Sequence, residues 1–258
     1  HQVLGKGNGS LENTASDIEL TADGSIFAAV GIFNTDGIYF SETGDIGSWV
    51  KQTNGFPSSD IYRIELATAS SNANIAYATA INTLSNNYFI KGFYKTINKG
   101  LSWVKIAIPD DDSTKFSNKQ GWYDLILAVD PNNENVVIAG GLHLWKTVDG
   151  GLSWKAISHG NTNLPVGYVH VDQHEIVFQS SDTVYFGNDG GIWKCNNLSD
   201  SVPIIYNRNT TYNVTQFYST AIDASSGSQI IIGGTQDNGS GMAASGKISE
   251  FISLSGAD

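Results

Sequence analysis

The sequence predicts an all-β chain built from four-stranded blades of a β-propeller, and three observations support this prediction. Only 15% of the 258 residues are charged and 28 are glycine, which is typical of many short strands joined by tight polar turns. A repeat of about 45 to 50 residues runs through the chain, and each copy holds four short strand-like segments, which is the size of a propeller blade. Helical periodicity appears nowhere over a useful length.

The clearest element of the repeat is a short strand with an aromatic anchor. The anchors are Phe40, Tyr94, Trp145 and Trp193, at spacings of 54, 51 and 48 residues. The strand reads GIYFS, GFYKT, HLWKT and GIWKC in the four copies.

Two further strand types precede each anchor strand. The first reads DIELTADGS, YRIELATASSN, YDLILAVDPNN, HEIVFQSSD and STAIDASSG. The second reads IFAAVG, IAYATAI, VVIAGG, VYFGND and IIIGGT, and its Val, Ile and Ala content is typical of strands buried between packed blades.

These segments predict one domain, 1–258, of about five blades. The predicted units are 14–56, 57–108, 120–160, 168–205 and 214–258. Because an open stack of blades leaves two unpaired faces, we expect the chain to be part of a larger propeller, seven-bladed or double; a closed five-bladed ring is the alternative.

A turn with a fixed composition follows the anchor strand. It reads TVDGGLSW over 147–154 and TINKGLSW over 96–103, and a looser copy, SETGDIGSW, covers 41–49. Asp and Asn side chains can accept hydrogen bonds from the turn's own backbone, glycine supplies the required conformation, and tryptophan covers adjoining strands. The residues predicted to have this structural role are Asp45, Trp49, Asn98, Trp103, Asp149, Gly151, Ser153 and Trp154.

These turns resemble the Asp-box, or BNR repeat, whose pattern is Ser/Thr-x-Asp-x-Gly-x-Ser/Thr-Trp. The fourth copy departs from the pattern, because NNLSD follows GIWKC and the tryptophan is missing. The resemblance implies a bacterial Asp-box propeller, secreted or at the cell surface, similar to xyloglucanase-type and sortilin-like proteins. It also implies further domains of the same polypeptide, or a type IX secretion apparatus, as partners.

Charge and composition exclude several classes of function. The net charge of −11 leaves no basic footprint for a nucleic acid. No apolar run approaches the 18 or so residues that span a membrane, so no membrane insertion is expected. The chain has two arginines, Arg63 and Arg208. Sialidases, which are also Asp-box propellers, hold the carboxylate of their substrate with three, so a sialidase is not expected. Cys195 is the only cysteine and is expected to be structural.

The segment GYVHVDQHE, over 167–175, holds the main candidate chemistry. In a regular strand His170, Asp172 and His174 would project from one face, and two imidazoles with a carboxylate suit a divalent metal ion. Residues i and i+4 lie too far apart to share an ion unless the strand bends or bulges. The alternative is a polar, hydrogen-bonded row near the central channel.

Two Asp-containing turns, GNDGG and GGTQDNG, place Asp189 and Asp237 at matching positions of successive repeats. They are tight hairpin turns or parts of a ligand site. The ligand-binding candidates are Asp172, Glu175, Asp189 and Asp237, and any functional surface is expected where these stretches meet HVDQHE.

A long polar insertion between blades covers residues 109–124. Its Asp110, Asp111 and Asp112 lack the spacing of an EF-hand, so a solvated loop is expected there. Trp122 and Tyr123 are expected to be core aromatics, the alternative being stacking on sugar rings.

The function expected from the sequence is a binding or scaffold module for a glycan or protein, without catalysis. The alternative is a glycoside hydrolase of the xyloglucanase type, with catalytic residues partly outside this segment. The resemblance implies two Asp residues from two propellers for that reaction, and the sequence assigns no such pair.

Overall fold

A computed structural model describes residues 15–31, 36–83, 88–109, 116–160, 166–211, 215–245 and 251–255. These residues form five four-stranded antiparallel sheets, each made of four consecutive strands and paired in chain order. The described residues contain no α-helix, which confirms the predicted all-β class. Asp110–Asp112 lie outside them.

Each sheet is one blade. Blade 1 comprises β1 (Ala15–Leu20), β2 (Ile26–Val30), β3 (Gly37–Ser41) and β4 (Val50–Gln52). Blade 2 comprises β5 (Ile61–Thr68), β6 (Ala76–Asn82), β7 (Ile90–Thr96) and β8 (Val104–Ile106). Blade 3 comprises β9 (Ile126–Asp130), β10 (Asn133–Gly140), β11 (Leu144–Thr147) and β12 (Lys155–Ala156). Blade 4 comprises β13 (Gln173–Phe178), β14 (Val184–Asn188), β15 (Gly191–Cys195) and β16 (Ile205–Asn207). Blade 5 comprises β17 (Phe217–Ile222), β18 (Ile231–Thr235), β19 (Ser240–Ala243) and β20 (Phe251–Ser255).

The first strands of blades 1 to 4 pack side by side, β1 against β5, β5 against β9, and β9 against β13. They therefore line the inside of the fold, and the later strands lie progressively further out. This places the candidate residues of the 167–175 segment at the inner end of blade 4.

Three hydrophobic clusters join successive blades. One lies between blades 1 and 2 around Phe27 and Ile64, and a second lies between blades 2 and 3 around Phe93. The third lies between blades 3 and 4 around Ile138 and Phe186. All five side chains are nearly inaccessible to solvent, and burial of each contributes about 1.5–3 kcal/mol.

Blade 5 is attached differently. All six residues of β17 are exposed, and none of the three clusters of described residues reaches this blade. Polar contacts connect it to blade 4: Asn238 Nδ2 donates to the carbonyl oxygen of Asp189 at 2.9 Å, and His170 Nε2 lies 3.3 Å from that of Asp237.

The turn after β11 is closed by one carboxylate. Asp149 accepts hydrogen bonds from Thr147 Oγ1 (2.7 Å), Leu152 N (2.9 Å), Ser153 N (3.0 Å) and Ser153 Oγ (2.6 Å). Gly151 has φ +91°, and a Cβ there would lie 2.3 Å from the Ile106 side chain. The left-handed conformation and the close approach both require glycine.

The turn after β7 repeats this arrangement with a neutral side chain. Asn98 Oδ1 accepts from Thr96 Oγ1 at 2.9 Å and from Ser102 N at 3.0 Å, and Asn98 Nδ2 donates to Ser102 Oγ at 2.9 Å. The equivalent turn in blade 1 differs from the prediction. Thr43 occupies the place of the acid, and Asp45 contributes its backbone carbonyl, which accepts from Ser48 Oγ at 2.7 Å. This copy has nine residues where the other two have eight, and the extra residue moves the acid out of position.

The turn tryptophans pack on the preceding blade. Trp103 is 3% exposed and lies against Phe27 of blade 1, with ring centroids 6.0 Å apart. Trp154 Nε1 donates to the carbonyl oxygen of Ala107 at 2.9 Å, and its ring lies 5.6 Å from Phe93 of blade 2. Each turn therefore stabilises both its own hairpin and a boundary between blades.

Candidate functional site

The 167–175 segment is not a regular strand at its functional residues. β13 begins at Gln173, Asp172 has φ +64°, and the register with β14 shifts between Gln173 and Glu175. The prediction that His170, Asp172 and His174 share one face of a strand is therefore wrong. The left-handed conformation of Asp172 turns the chain, and His174 lies in the bulge.

The two histidines have separate hydrogen-bonding partners. His174 Nε2 lies 2.7 Å from Asp189 Oδ1. His170 Nδ1 lies 3.1 Å from the carbonyl oxygen of Val171, and its Nε2 faces blade 5. Within the part of the chain that the structure describes, no three His, Cys, Asp or Glu side chains are placed to hold a metal ion. A metal at His170, Asp172 and His174 stays a prediction.

Asp189 is the centre of the polar network. Its carboxylate accepts from the Tyr123 hydroxyl, at 3.1 Å to Oδ1 and 3.0 Å to Oδ2, and from His174. Burial, and then the hydrogen bond to Asp189, raise the pKa of Tyr123 well above its usual range. The phenol therefore stays protonated and donates at physiological pH.

An open pocket of about 400 Å³ lies beside this network, where blades 4 and 5 meet the segment that precedes β9. We call it the junction pocket. Its wall combines Tyr123 and Asp189 with five side-chain amides, from Asn188, Asn209, Gln216, Gln236 and Asn238.

Two of these side chains are fixed by hydrogen bonds, Asn209 to the β14–β15 hairpin and Asn188 to β13. Asn209 Oδ1 accepts from Ile192 N at 2.8 Å, and Asn209 Nδ2 donates to the carbonyl oxygen of Gly190 at 2.5 Å. Gly191 permits this approach, because a Cβ there would lie 2.2 Å from Asn209 Oδ1. Asn188 Nδ2 donates to Gln173 Oε1 at 3.2 Å.

The three stretches singled out in the sequence meet beside this pocket, and its wall is formed by GNDGG and GGTQDNG but not by HVDQHE. HVDQHE contacts GNDGG through His174 and Asp189, and GGTQDNG contacts both through Asp237 and Asn238. The Asp237 carboxylate accepts from the neighbouring Gln236 Nε2 at 2.5 Å.

Trp122 and Tyr123 are exposed, so the expectation that they are core aromatics is wrong. Trp122 is 48% and Tyr123 36% exposed. Arg63 holds this segment by donating to the carbonyl oxygens of Trp122 (3.3 Å) and Tyr123 (3.0 Å). The rings of Trp122 and Tyr123 are 5.5 Å apart, and that of His174 is 4.6 Å from Tyr123. Their backbone is held while their rings remain available to a ligand.

Glu175 lies in a different place from the other ligand-binding candidates. It lines an axial concavity of about 700 Å³ between the first strands of blades 1 to 4. Asp17, Glu19, Glu65 and Arg63 also line it, and Arg63 donates to Glu65 Oε2 at 2.9 Å. Burial raises the pKa of Glu65 to about 8 and that of Glu19 to about 7, so at neutral pH Glu65 is mostly protonated and Glu19 is about half protonated.

The amides are absent from the site residues predicted from the sequence, and Tyr123 enters there only through the alternative of stacking on sugar rings. A signal was present: Tyr62, Tyr123, His174 and Tyr218 occupy the same place, at the start of the first strand of successive repeats. An aromatic or imidazole ring thus recurs at the inner end of blades 2 to 5. The amides lie in turns, where Asn and Gln are frequent, and no sequence pattern distinguishes them.

Solved structures share this fold. The chain is similar to the GH74 enzyme of Niastella koreensis, with a TM-score of 0.59, 18% identity, and coverage of 93% of this chain and 37% of that one. It is similar to the GH74 xyloglucanase from Xanthomonas campestris, with a TM-score of 0.54, 15% identity, and coverage of 94% and 37%. An ancestral GH74 enzyme gives a TM-score of 0.51 at 15% identity, covering 100% of this chain and 33% of that one. The five blades therefore have the propeller fold, and the chain spans about a third of the length of these enzymes.

No protein-family model matches the chain, and no curated protein sequence matches it. Among the described residues, no helix has the length and apolar character that spanning a bilayer requires.

Proposed function

We propose that this propeller is a non-catalytic binding module whose junction pocket holds a glycan. The observation that supports the proposal is the composition of the pocket: one carboxylate, one phenol and five side-chain amides, beside the exposed ring of Trp122.

This composition matches the chemistry of a sugar ring. Each hydroxyl of a sugar both donates and accepts hydrogen bonds, as do side-chain amides, while a carboxylate such as Asp189 accepts only. The apolar C–H face of a sugar packs on an aromatic ring, and the exposed Trp122 offers one whose ring lies 5.5 Å from that of Tyr123 in the pocket wall. A volume of about 400 Å³ lies within the range of small-molecule sites.

The charge around the pocket favours a neutral glycan over an acidic one. Asp172, Asp189 and Asp237 lie near one another, and the whole chain carries a net charge of −11. A uronic acid or sialic acid would meet like charge at short range, which disfavours binding.

Binding of neutral oligosaccharides, measured by isothermal titration calorimetry and by affinity electrophoresis in polysaccharide gels, tests the proposal. We expect Trp122→Ala and Asp189→Asn to weaken binding about tenfold each, since 1.4 kcal/mol is a factor of ten. Tyr206→Ala, at an exposed tyrosine of an outer strand, and Glu42→Gln are the matched controls. Equal affinity of Trp122→Ala and Tyr206→Ala would count against this pocket, and failure of every neutral glycan to bind would refute the proposal.

A glycoside hydrolase is the second candidate function. The observation that favours it is the raised pKa of Glu65 and of Glu19 in the axial concavity, since a general acid must hold its proton near neutral pH. Release of reducing ends from polysaccharides, abolished by Glu65→Gln, would support catalysis and refute the binding-only proposal.

We place the module outside the cell, at the surface or secreted, as its resemblance to Asp-box proteins implies. A protein ligand is the alternative to a glycan, and further domains of the same polypeptide or a secretion apparatus remain expected partners. Cell fractionation with an antibody against this domain tests the location: recovery in the cytoplasm alone would contradict it.

A further inference from the structure

A β-bulge recurs at the inner end of the first strand in blades 1, 2, 4 and 5. In each of these blades the register between the first and second strands shifts across one residue, which is Ser16, Tyr62, His174 or Tyr218. A bulge leaves its extra residue unpaired in the ladder and re-aims the side chain of that residue. Three of the four re-aimed side chains are therefore rings.

Blade 3 has a ring at the same point without a bulge. β9 begins only at Ile126, and Tyr123 lies before it, at the position that Tyr62 occupies in blade 2. In blade 1 the bulged residue is Ser16, whose Oγ donates to the carbonyl oxygen of Ile64 at 3.1 Å. Because this bulge forms around a serine, the fold does not require the rings of blades 2 to 5.

The rings at the inner ends of blades 2 to 4 form two groups of close neighbours. In blade 2 the ring centroids of Tyr62 and Tyr88 are 4.4 Å apart. In the next group Trp122 and Tyr123 are 5.5 Å apart, and the ring of His174 in blade 4 lies 4.6 Å from that of Tyr123. The second group therefore already connects two blades.

Backbone contacts hold the two groups side by side. A Cβ at Gly121 would lie 3.0 Å from the carbonyl oxygen of Tyr88, so the segment that bears Trp122 passes directly against blade 2. Arg63, which follows Tyr62, donates to the carbonyl oxygens of Trp122 at 3.3 Å and of Tyr123 at 3.0 Å. The two groups of rings thus form one row.

The junction pocket continues this row towards blade 5. Its wall includes both Tyr123 and Gln216, and Gln216 lies two residues before Tyr218. The backbone N–H of Gln236 donates to the carbonyl oxygen of Gln216 at 2.9 Å, which fixes this end of blade 5. Tyr218 is 71% exposed, so its ring is open to a ligand that extends beyond the pocket.

We infer that this row of rings binds a linear neutral polysaccharide across the inner ends of blades 2 to 5. We call it the ring row, and its members are Tyr62, Tyr88, Trp122, Tyr123, His174 and Tyr218. The inference rests on the proposed glycan-binding function and extends it from one pocket to a chain of several sugar units. Neither Tyr62 nor Tyr218 lines the junction pocket, so a ligand confined to the pocket would leave both rings unused.

The polar groups beside the ring row favour a polysaccharide over a proline-rich peptide, the other kind of chain that packs on exposed aromatic rings. Asp189 can only accept hydrogen bonds, and sugar hydroxyls donate them. Proline has no backbone N–H to donate. The net charge of −11 on the chain favours a neutral polymer over an acidic one.

The experiment measures how affinity depends on the length of the glycan. Isothermal titration calorimetry on the full chain compares a disaccharide with a hexasaccharide, each taken from cellulose, mannan and amylose. We expect the hexasaccharide of the bound series to bind about tenfold more tightly, or more, since each packed ring contributes a factor of about 2 to 10 in affinity.

Variants assign this gain to the ring row. Tyr62→Ala and Tyr218→Ala should each remove a factor of about 2 to 10 from the affinity for the hexasaccharide and leave the affinity for the disaccharide unchanged. Tyr62→Phe keeps the ring and should bind both as the unaltered chain does. Tyr206→Ala, at an exposed tyrosine of an outer strand, is the control and should also retain both affinities. A variant that failed to fold would lose the disaccharide as well, so the short ligand reports on folding.

The two proposals fail in different ways. Equal affinity for the disaccharide and the hexasaccharide would overturn the ring row and leave the pocket proposal standing. Hexasaccharide binding that is weakened by Tyr218→Ala but not by Asp189→Asn would support the ring row and refute the pocket. Binding of no glycan would overturn both. Binding of a polyproline peptide in place of every glycan, weakened by Tyr218→Ala, would overturn the assignment to a polysaccharide.

Discussion

Replacing Asp149 by alanine removes the single group that closes the turn after β11. Four hydrogen bonds end on this carboxylate, two from backbone amides and two from hydroxyls. Each bond contributes about 0.5–1.5 kcal/mol, but the turn is open to water, which replaces part of what is lost. Substitutions of comparable capping residues cost about 0.5–2 kcal/mol, so we expect a loss near the top of that range, about 2 kcal/mol.

For a chain of this size about 2 kcal/mol corresponds to a fall in Tm of roughly 4–8 °C, measurable by scanning calorimetry. Asn98→Ala is the matched control, because Asn98 closes the equivalent turn of blade 2 with three neutral hydrogen bonds. We expect it to cost about half as much, since bonds to a charged acceptor are roughly twice as strong.

The pH dependence separates the two variants further. Burial raises the pKa of Asp149, but the hydrogen bonds from Ser153, Thr147 and Leu152 outweigh it and lower the pKa from 3.8 to about 2. A depressed pKa stabilises the folded chain above pH 3.8, and this contribution is lost as pH falls through 2. The deficit of Asp149→Ala should therefore shrink below about pH 4, while that of Asn98→Ala stays constant. Equal deficits with the same pH profile would refute this reasoning.

Two further variants test the inner and outer parts of the fold. Burial raises the pKa of Glu65 from 4.5 to about 8. The stability that this carboxyl contributes is therefore greatest below pH 4.5 and is lost as pH rises through 8. Glu65→Gln should remove this dependence and flatten the fall in Tm between about pH 5 and 8. An unchanged slope, or the same change in Glu42→Gln, would contradict the assignment. Gly55 has φ +79° and a Cβ there would lie 1.9 Å from the carbonyl oxygen of Trp103, so Gly55→Ala should cost about 3 kcal/mol or more in urea unfolding. Gly24 has φ +85° and open space where a Cβ would lie, so Gly24→Ala should lower the free energy of unfolding by only about 1–2 kcal/mol. Equal losses for the two variants would show that the clash at residue 55 is relieved.

The sequence repeat predicts most of the fold, because the formation of each strand and turn depends on residues close together in the chain. Each anchor strand and each turn is set by residues within a few positions of one another, as Thr147 and Ser153 show around Asp149. The first blade departs where an extra residue displaces Asp45, and such a shift is visible in the sequence as a spacing error. The weak attachment of blade 5 was not predicted, because exposure depends on what lies opposite a strand rather than on the strand itself.

The candidate site was predicted only in outline. The three stretches that meet are predicted from their histidines and acids, but the prediction assumes a regular strand through His170 and His174. The bulge and the left-handed conformation of Asp172 change that geometry. No residue pattern in the sequence marks either feature. Tyr123 and Asp124 are predicted as parts of a strand start, although Tyr123 faces the junction pocket and Asp124 is fully buried.

The turns after the anchor strands combine two functions that different residues perform. In blade 4 the hydrogen bonds of the turn are kept: Asn197 Oδ1 accepts from Ile204 N at 3.0 Å and from Cys195 Sγ at 3.5 Å. The tryptophan of the turn is absent from this copy.

The contact with the preceding blade is made by other groups: Leu198 packs in the cluster between blades 3 and 4, and Lys146 Nζ donates to the carbonyl oxygens of Leu198 and Asp200. A copy that keeps its polar turn therefore still folds as a hairpin and stays joined to its neighbour without the tryptophan. A sequence pattern that requires the tryptophan therefore misses diverged copies of the repeat, whereas a pattern based on the polar turn residues alone finds them.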